Sequence, residues 1–345
     1  MIEDFTTLPD LAVRAVGGGV VAANDDLFAD KENLVRTEEP VHHPRTFGAK
    51  GQVYDGWETR RRRTSGHDWA IVRLGVPGIV HGVVVDTAFF RGNFPPECSV
   101  EACTVDGYPS PAELERATWT TIVDRSSLAG DVRNAFTANG SGPYTHVRLS
   151  VYPDGGVARL RVHGEPVPDP RAFADLPLDL VALVNGGRVV DASNRFYSRP
   201  DNLIMPGQAA VMGDGWETAR RRDDGNDWVL LRLAGRGEVR VVEIDTTHFV
   251  GNAPGSAALR GVDVDDGVDP GAGATWSDLL PETRLQPDTP HRFVLPPSGP
   301  VTHVTLDVYP DGGLARLRCF GSLTQDAYER MLRRRWPDTA AGQVT

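Results

Sequence analysis

Residues 145–164 read THVRLSVYPDGGVARLRVHG and hold three arginines whose spacing could serve a small carboxylate. Pro153-Asp154-Gly155-Gly156 is turn chemistry between two alternating segments, which predicts a hairpin. Alternation then sends Val147, Leu149, Val151, Leu160 and Val162 to a core. His146, Arg148, Ser150 and Tyr152 face the other way, beside Arg159, Arg161 and His163. A guanidinium grips a carboxylate through two parallel N–H bonds, so Arg148, Arg159 and Arg161 could hold a carboxylate ligand. Internal ion pairs or plain solvent exposure would account for them equally well.

A second constellation lies at residues 55–63, where Asp55 and Glu58 are interleaved with Arg60, Arg61, Arg62 and Arg63. Such density suits a charge network that orders a loop, or a polar pocket. Trp57 within it reads as a packing residue. His67 follows between Gly66 and Asp68 and reads either as a general acid or base or as a surface-loop histidine. Asp86-Thr87 and Gly92-Asn93 sit where a strand meets a loop. They would cap turns, or accept hydrogen bonds from amide or ureido N–H groups.

These groups are positioned by a duplicated scaffold. Residues 53–74 and 212–233 are identical at 13 of 22 positions, and residues 145–164 and 302–321 at 15 of 20. VVVDTAFFRGN at 83–93 likewise returns as VEIDTTHFVGN at 242–252. Two copies this long predict two compact domains, at residues 1–168 and 169–345, across the proline-rich stretch 164–177. WAIVRLG, GIVHGVVVDTAFF and THVRLSVYP read as short strands, and 37 Gly and 26 Pro supply turns. An all-β antiparallel sandwich or jelly roll follows. Residues 322–337 predict a short C-terminal helix capped by Ser322 or Thr324.

The copies differ in charge. Opposite Arg316 and Arg318, the second carries Thr305 and Asp307, and Asn226 stands for His67. The first copy's face is the more cationic one, and only it has the imidazole. Glu217, Arg220, Arg221, Arg222 and Asn252 repeat the remaining groups.

A formal net charge of −11 argues against general affinity for nucleic acid or anionic membrane. No apolar run reaches ~18 residues, so no membrane span is expected. Cys98, Cys103 and Cys319 are sparse and odd in number, which favours a reducing compartment and a cytoplasmic location. No HExxH, CxxC, P-loop, GxGxxG or GxSxG is present, and no His/Cys cluster has zinc-ligand spacing. No cofactor is expected.

The doubled DGWET with its arginine run, GHDW, DTxxFxGN and YPDGGxARLR resemble allantoicase from about Asp10 to Gly321, duplication included. The second copy departs from the family at Val250, where lysine is usual. The resemblance implies two tandem jelly-roll domains of the galactose-binding-like type and hydrolysis of allantoate to ureidoglycolate and urea, in purine degradation. Its implied substrate carries one carboxylate and two ureido groups. Arg148, Arg159 and Arg161, with His146 beside them, would then take the carboxylate, and Glu58, His67 and Asp86 would serve proton transfer and ureido recognition. A site drawing on Glu217, Arg220 and Asn252 between the domains is the other placement. A homo-oligomer is expected, and stimulation by a divalent ion is left open. The alternative function is a non-catalytic carbohydrate- or small-ligand-binding module of the same fold.

Overall fold

The structure, a computed structural model, describes residues 4–174, 176–265 and 267–336. The chain divides into two compact units, Met1–Val167 and Pro168–Thr345. Each is a jelly-roll β-sandwich. The first unit contains β1 (Gly19–Ala23), β2 (Asp68–Asp86), β3 (Glu97–Cys103), β4 (Thr120–Ser127), β5 (Arg133–Thr137), β6 (Pro143–Tyr152) and β7 (Arg159–Pro166), with a one-turn helix α1 (Pro111–Glu115). The second repeats the plan as β8 (Arg188–Ala192), β9 (Asp227–Asp245), β10 (Ser256–Val262), β11 (Ser277–Arg284), β12 (Pro290–Val294), β13 (Val301–Tyr309) and β14 (Arg316–Leu323). The C-terminal helix α2 (Gln325–Arg335) is capped by Thr324, whose side chain accepts from the Ala327 N–H.

The organising element is β2, a 19-residue strand in place of the two short strands that the sequence suggests. Its first half pairs with β1 and β6, and its second half with β5 and β7. From β6 the sheet continues through β3 to β4. Gly75 and Gly78 let neighbouring chain cross β2 closely, because an added Cβ would lie 2.3 Å from the Val16 carbonyl at Gly75 and 2.5 Å from the Glu165 carbonyl at Gly78. The strand β9 plays the same part in the second unit.

This topology overturns the expected hairpin. β6 and β7 do not pair with each other across the PDGG turn; each pairs with a different half of β2. The parity reading of the apolar residues still holds, since Val147, Leu149, Val151, Leu160 and Val162 all enter one core with Trp57. Their polar neighbours, however, do not form one face. Arg148 meets Glu101 on β3, whereas Arg159 meets Asp55.

Trp57 and Trp216 are fully buried, and each indole N–H donates to a loop carbonyl, of Asp25 at 2.7 Å and Asn194 at 2.9 Å. The arginine run is fastened to the YPDGG turn: the Arg62 N–H donates to Asp154 at 2.7 Å, and the Arg221 N–H to Asp311 at 2.8 Å. All three cysteines are buried free thiols, and burial pushes Cys98 up to about 12. Among the described residues no helix is long and apolar enough to cross a membrane.

Candidate active site

A polar cavity of about 770 Å³ opens on the outer side of the sheet formed by β2, β6, β3 and β4. His67 and Tyr152 line it, their rings 4.7 Å apart. Three guanidinium groups reach the same space, those of Arg62, Arg125 and Arg148. Each is held by a carboxylate. Arg62 pairs with Asp68 at 3.0 Å, Arg148 with Glu101 at 2.6 Å, and Arg125 with Glu97. Aromatic rings add support, with the Arg148 guanidinium 4.7 Å from the Trp119 ring and that of Arg125 4.2 Å from the Tyr152 ring. Asp124, Ser99, Ser150, Thr121 and Asn24 complete the wall, and the Ser99 and Tyr152 hydroxyls share a hydrogen bond of 2.9 Å.

Partial burial pulls the His67 imidazole below its ordinary pKa, and the charges of Arg62 and Arg148 act in the same direction. The ring is therefore mostly neutral near pH 7, the form that can accept a proton.

The other sequence-predicted residues lie elsewhere. Arg159 is fully buried, with Nη2 on the Asp55 carboxylate at 2.9 Å and its other N–H groups on the carbonyls of Glu38, Asp55 and Ala158. A buried guanidinium is tolerable only when so paired, which makes it part of the scaffold. Arg161 donates to the Arg36 carbonyl at 2.6 Å and lies 3.5 Å from Asp10. His146 is buried at 1 % exposure against the Thr145 hydroxyl. Asp86 caps its own turn, accepting from the Ala88 N–H at 2.9 Å, and burial raises its pKa. Glu58 accepts from the Asn93 amide at 2.6 Å, and burial raises its pKa too. The structure thus brings His67 and Arg148 together and leaves Glu58, Asp86, Arg159, Arg161 and His146 outside that cavity.

In the second unit Asn252 donates to Glu217 at 2.6 Å, repeating the Glu58 pair, and Arg220 is exposed. The positions matching the cavity carry different chemistry. Arg260 pairs with Asp307 at 2.9 Å, and Asn226 donates to the same aspartate at 3.2 Å.

Sequence reasoning missed Arg125, Glu101 and Asp124 as wall residues. Two bulges in β4 against β3 turn both Asp124 and Arg125 outward, so simple alternation along TTIVDRSS does not find them. The signal that was available is Glu101, four residues into a strand that pairs with Arg148. Among the described residues no three His, Cys, Asp or Glu side chains are grouped to hold a metal ion.

The family model described as Allantoicase repeat matches twice, over residues 9–167 and 178–324. A probable allantoicase of Nocardia farcinica is 55 % identical over 322 residues, covering 92 % of this chain and 95 % of that one. A probable allantoicase of Streptomyces coelicolor is 50 % identical over 343 residues, covering 96 % and 89 %. The crystal structure of allantoicase from Saccharomyces cerevisiae superposes with a TM-score of 0.77 at 32 % identity, covering 92 % of this chain and 93 % of that one. The expected resemblance holds along nearly the whole chain and in both repeats, and the chain belongs to the allantoicase family.

Proposed function

We propose that allantoate is bound and cleaved in the His67 cavity of the first repeat. The overall reaction, hydrolysis of allantoate to ureidoglycolate and urea, comes with the family and takes precedence over the carbohydrate-module alternative. The observation that carries the placement is one cavity holding a mostly neutral imidazole and three guanidinium groups.

The substrate's central carbon bears a carboxylate, a hydrogen and two ureido groups. Arg148, already oriented by Glu101 and Trp119, takes the carboxylate, with Arg125 and Arg62 beside it. The hydroxyls of Ser99, Ser150 and Thr121 and the carboxylate of Asp124 accept from ureido N–H groups. His67 removes a proton from water as its oxygen bonds to the central carbon. The C–N bond to one ureido group breaks, and the departing nitrogen takes a proton from the imidazolium. Water's hydroxyl ends on ureidoglycolate and its proton on urea, so His67 returns neutral. The route needs no cofactor, and a divalent ion enters no step.

The negative overall charge does not oppose an anionic substrate, because local potential governs at contact. A homo-oligomer is the expectation for this chain, and sedimentation of the purified protein measures it.

Urea release by the Arg148→Gln enzyme tests the placement. A fall in kcat/KM of roughly a hundredfold or more is expected, mostly through KM, with the thermal midpoint little changed. An unchanged kcat/KM would refute it.

A further inference from the structure

A second, smaller cavity of about 200 Å³ lies among the loops of the first repeat, lined by His42, Gln52, Tyr54, Phe89, Arg91 and Asn93. It shares no lining residue with the His67 cavity. At ~30 Å³ per water molecule, the space matches roughly seven waters and suits one small organic acid.

Its walls are specific. His42 and Phe89 stack at 5.3 Å, and Tyr54 stacks on Phe90 at the same distance. Phe89 adopts a left-handed backbone, φ +68°, which is costly for a bulky residue. Asp131 holds that conformation by accepting from the Phe89 N–H at 2.7 Å, and with its second oxygen holds the Arg91 guanidinium at 2.8 Å. Beneath the rim, Asn93 spends one amide N–H on the half-buried Glu58 at 2.6 Å. That contact fixes the amide plane and aims the rest of a carboxamide, one donor and one acceptor, at the cavity. A carboxamide is complementary to a ureido group, which offers both in return.

The second repeat keeps the Glu217–Asn252 pair and the left-handed backbone, at His248, φ +73°. There Val250 replaces Arg91, and His248 directs Nε2 to the Ala209 carbonyl at 3.0 Å. The polar floor is common to both copies, and the cation belongs to one.

We infer that this loop cavity is a second, non-catalytic site for a small ureido acid, with Arg91 on the carboxylate, Asn93 on the ureido group, and the stacked His42–Phe89 pair forming one apolar wall. The inference rests on catalysis belonging to the His67 cavity. A compound with one carboxylate and one ureido group is the product class of the reaction, so occupancy would couple the enzyme to its own product.

Calorimetric titration of the full chain with N-carbamoylglycine tests this. Two sites per chain are expected. Arg91→Gln should weaken one at least tenfold and leave allantoate turnover within twofold. Arg148→Gln should remove the other, together with turnover. Asn93→Ser repeats the Arg91 test without changing charge. A single site, lost only in Arg148→Gln, would overturn the second site and leave the catalytic placement standing. A single site, lost with turnover in Arg91→Gln, would overturn both by making the loop cavity the active one.

Discussion

His146 offers the clearest coupling of this fold to pH. Its ring is 1 % exposed, its Nδ1 meets the Thr145 hydroxyl at 2.9 Å, and its buried Nε2 has no hydrogen-bond partner. Burial, with the Arg73 charge, pulls its pKa from 6.5 down to about 4. The unfolded chain therefore takes up a proton that the folded chain refuses. Stability is untouched above pH 6.5, declines as pH falls through the interval from 6.5 to 4, and changes no further below it. Moving the pKa from 6.5 down to about 4, at ~1.4 kcal/mol per tenfold in proton affinity, amounts to roughly 3–4 kcal/mol in full, most of it already lost at pH 4.5. His146→Leu removes the titrating ring and the orphaned nitrogen at similar volume. Thr145 keeps its bonds to the Val105 N–H at 2.8 Å and to the Val105 carbonyl at 3.1 Å. Denaturant unfolding of both proteins at pH 7 and pH 4.5 reads the difference directly and cancels the carboxylates common to both. The variant should lose roughly 2–3 kcal/mol less than the parent over that interval. Equal losses would refute the reasoning.

Asp55→Asn leaves the buried Arg159 charge uncompensated and should cost about 3–5 kcal/mol in unfolding free energy, with kcat/KM of the folded enzyme retained. Trp57→Ala should cost about 3–5 kcal/mol by opening the first core, measured by denaturant unfolding. Because His67 sits below its ordinary pKa, kcat/KM should hold as pH falls through 6.5 and decline only in more acid solution. A pH–rate profile whose acid limb lies above 6.5 would contradict that.

The duplication, the strand-rich composition and the packing role of Trp57 and Trp216 were legible because each depends on local residue type and repetition. The parity of 145–164 was legible for the core and misleading for the arginines. Alternation tells which way a side chain points from its own strand, whereas the partner strand is set by the chain as a whole. The fusion of two predicted strands into β2 hides behind Gly75, Pro77 and Gly78, which read as a break and function as a crossing point. Arg159 illustrates the limit on charge: the sequence shows three arginines in fourteen residues, and only the fold shows that one is spent on Asp55 and backbone carbonyls. His67 and Arg148 were both named from sequence, but their shared cavity depends on the β2–β6 register, which pairs Asp68 with Val151 and Ile71 with Arg148.

Catalysis in this cavity depends most directly on the imidazole at His67, a position that the second repeat fills with Asn226. Steady-state urea release from allantoate by His67→Asn, the residue that the second repeat carries at that position, should show kcat reduced by roughly 10²–10⁴-fold, with the thermal midpoint held. Turnover within threefold of the parent would contradict a base at His67 and move the chemistry out of this cavity.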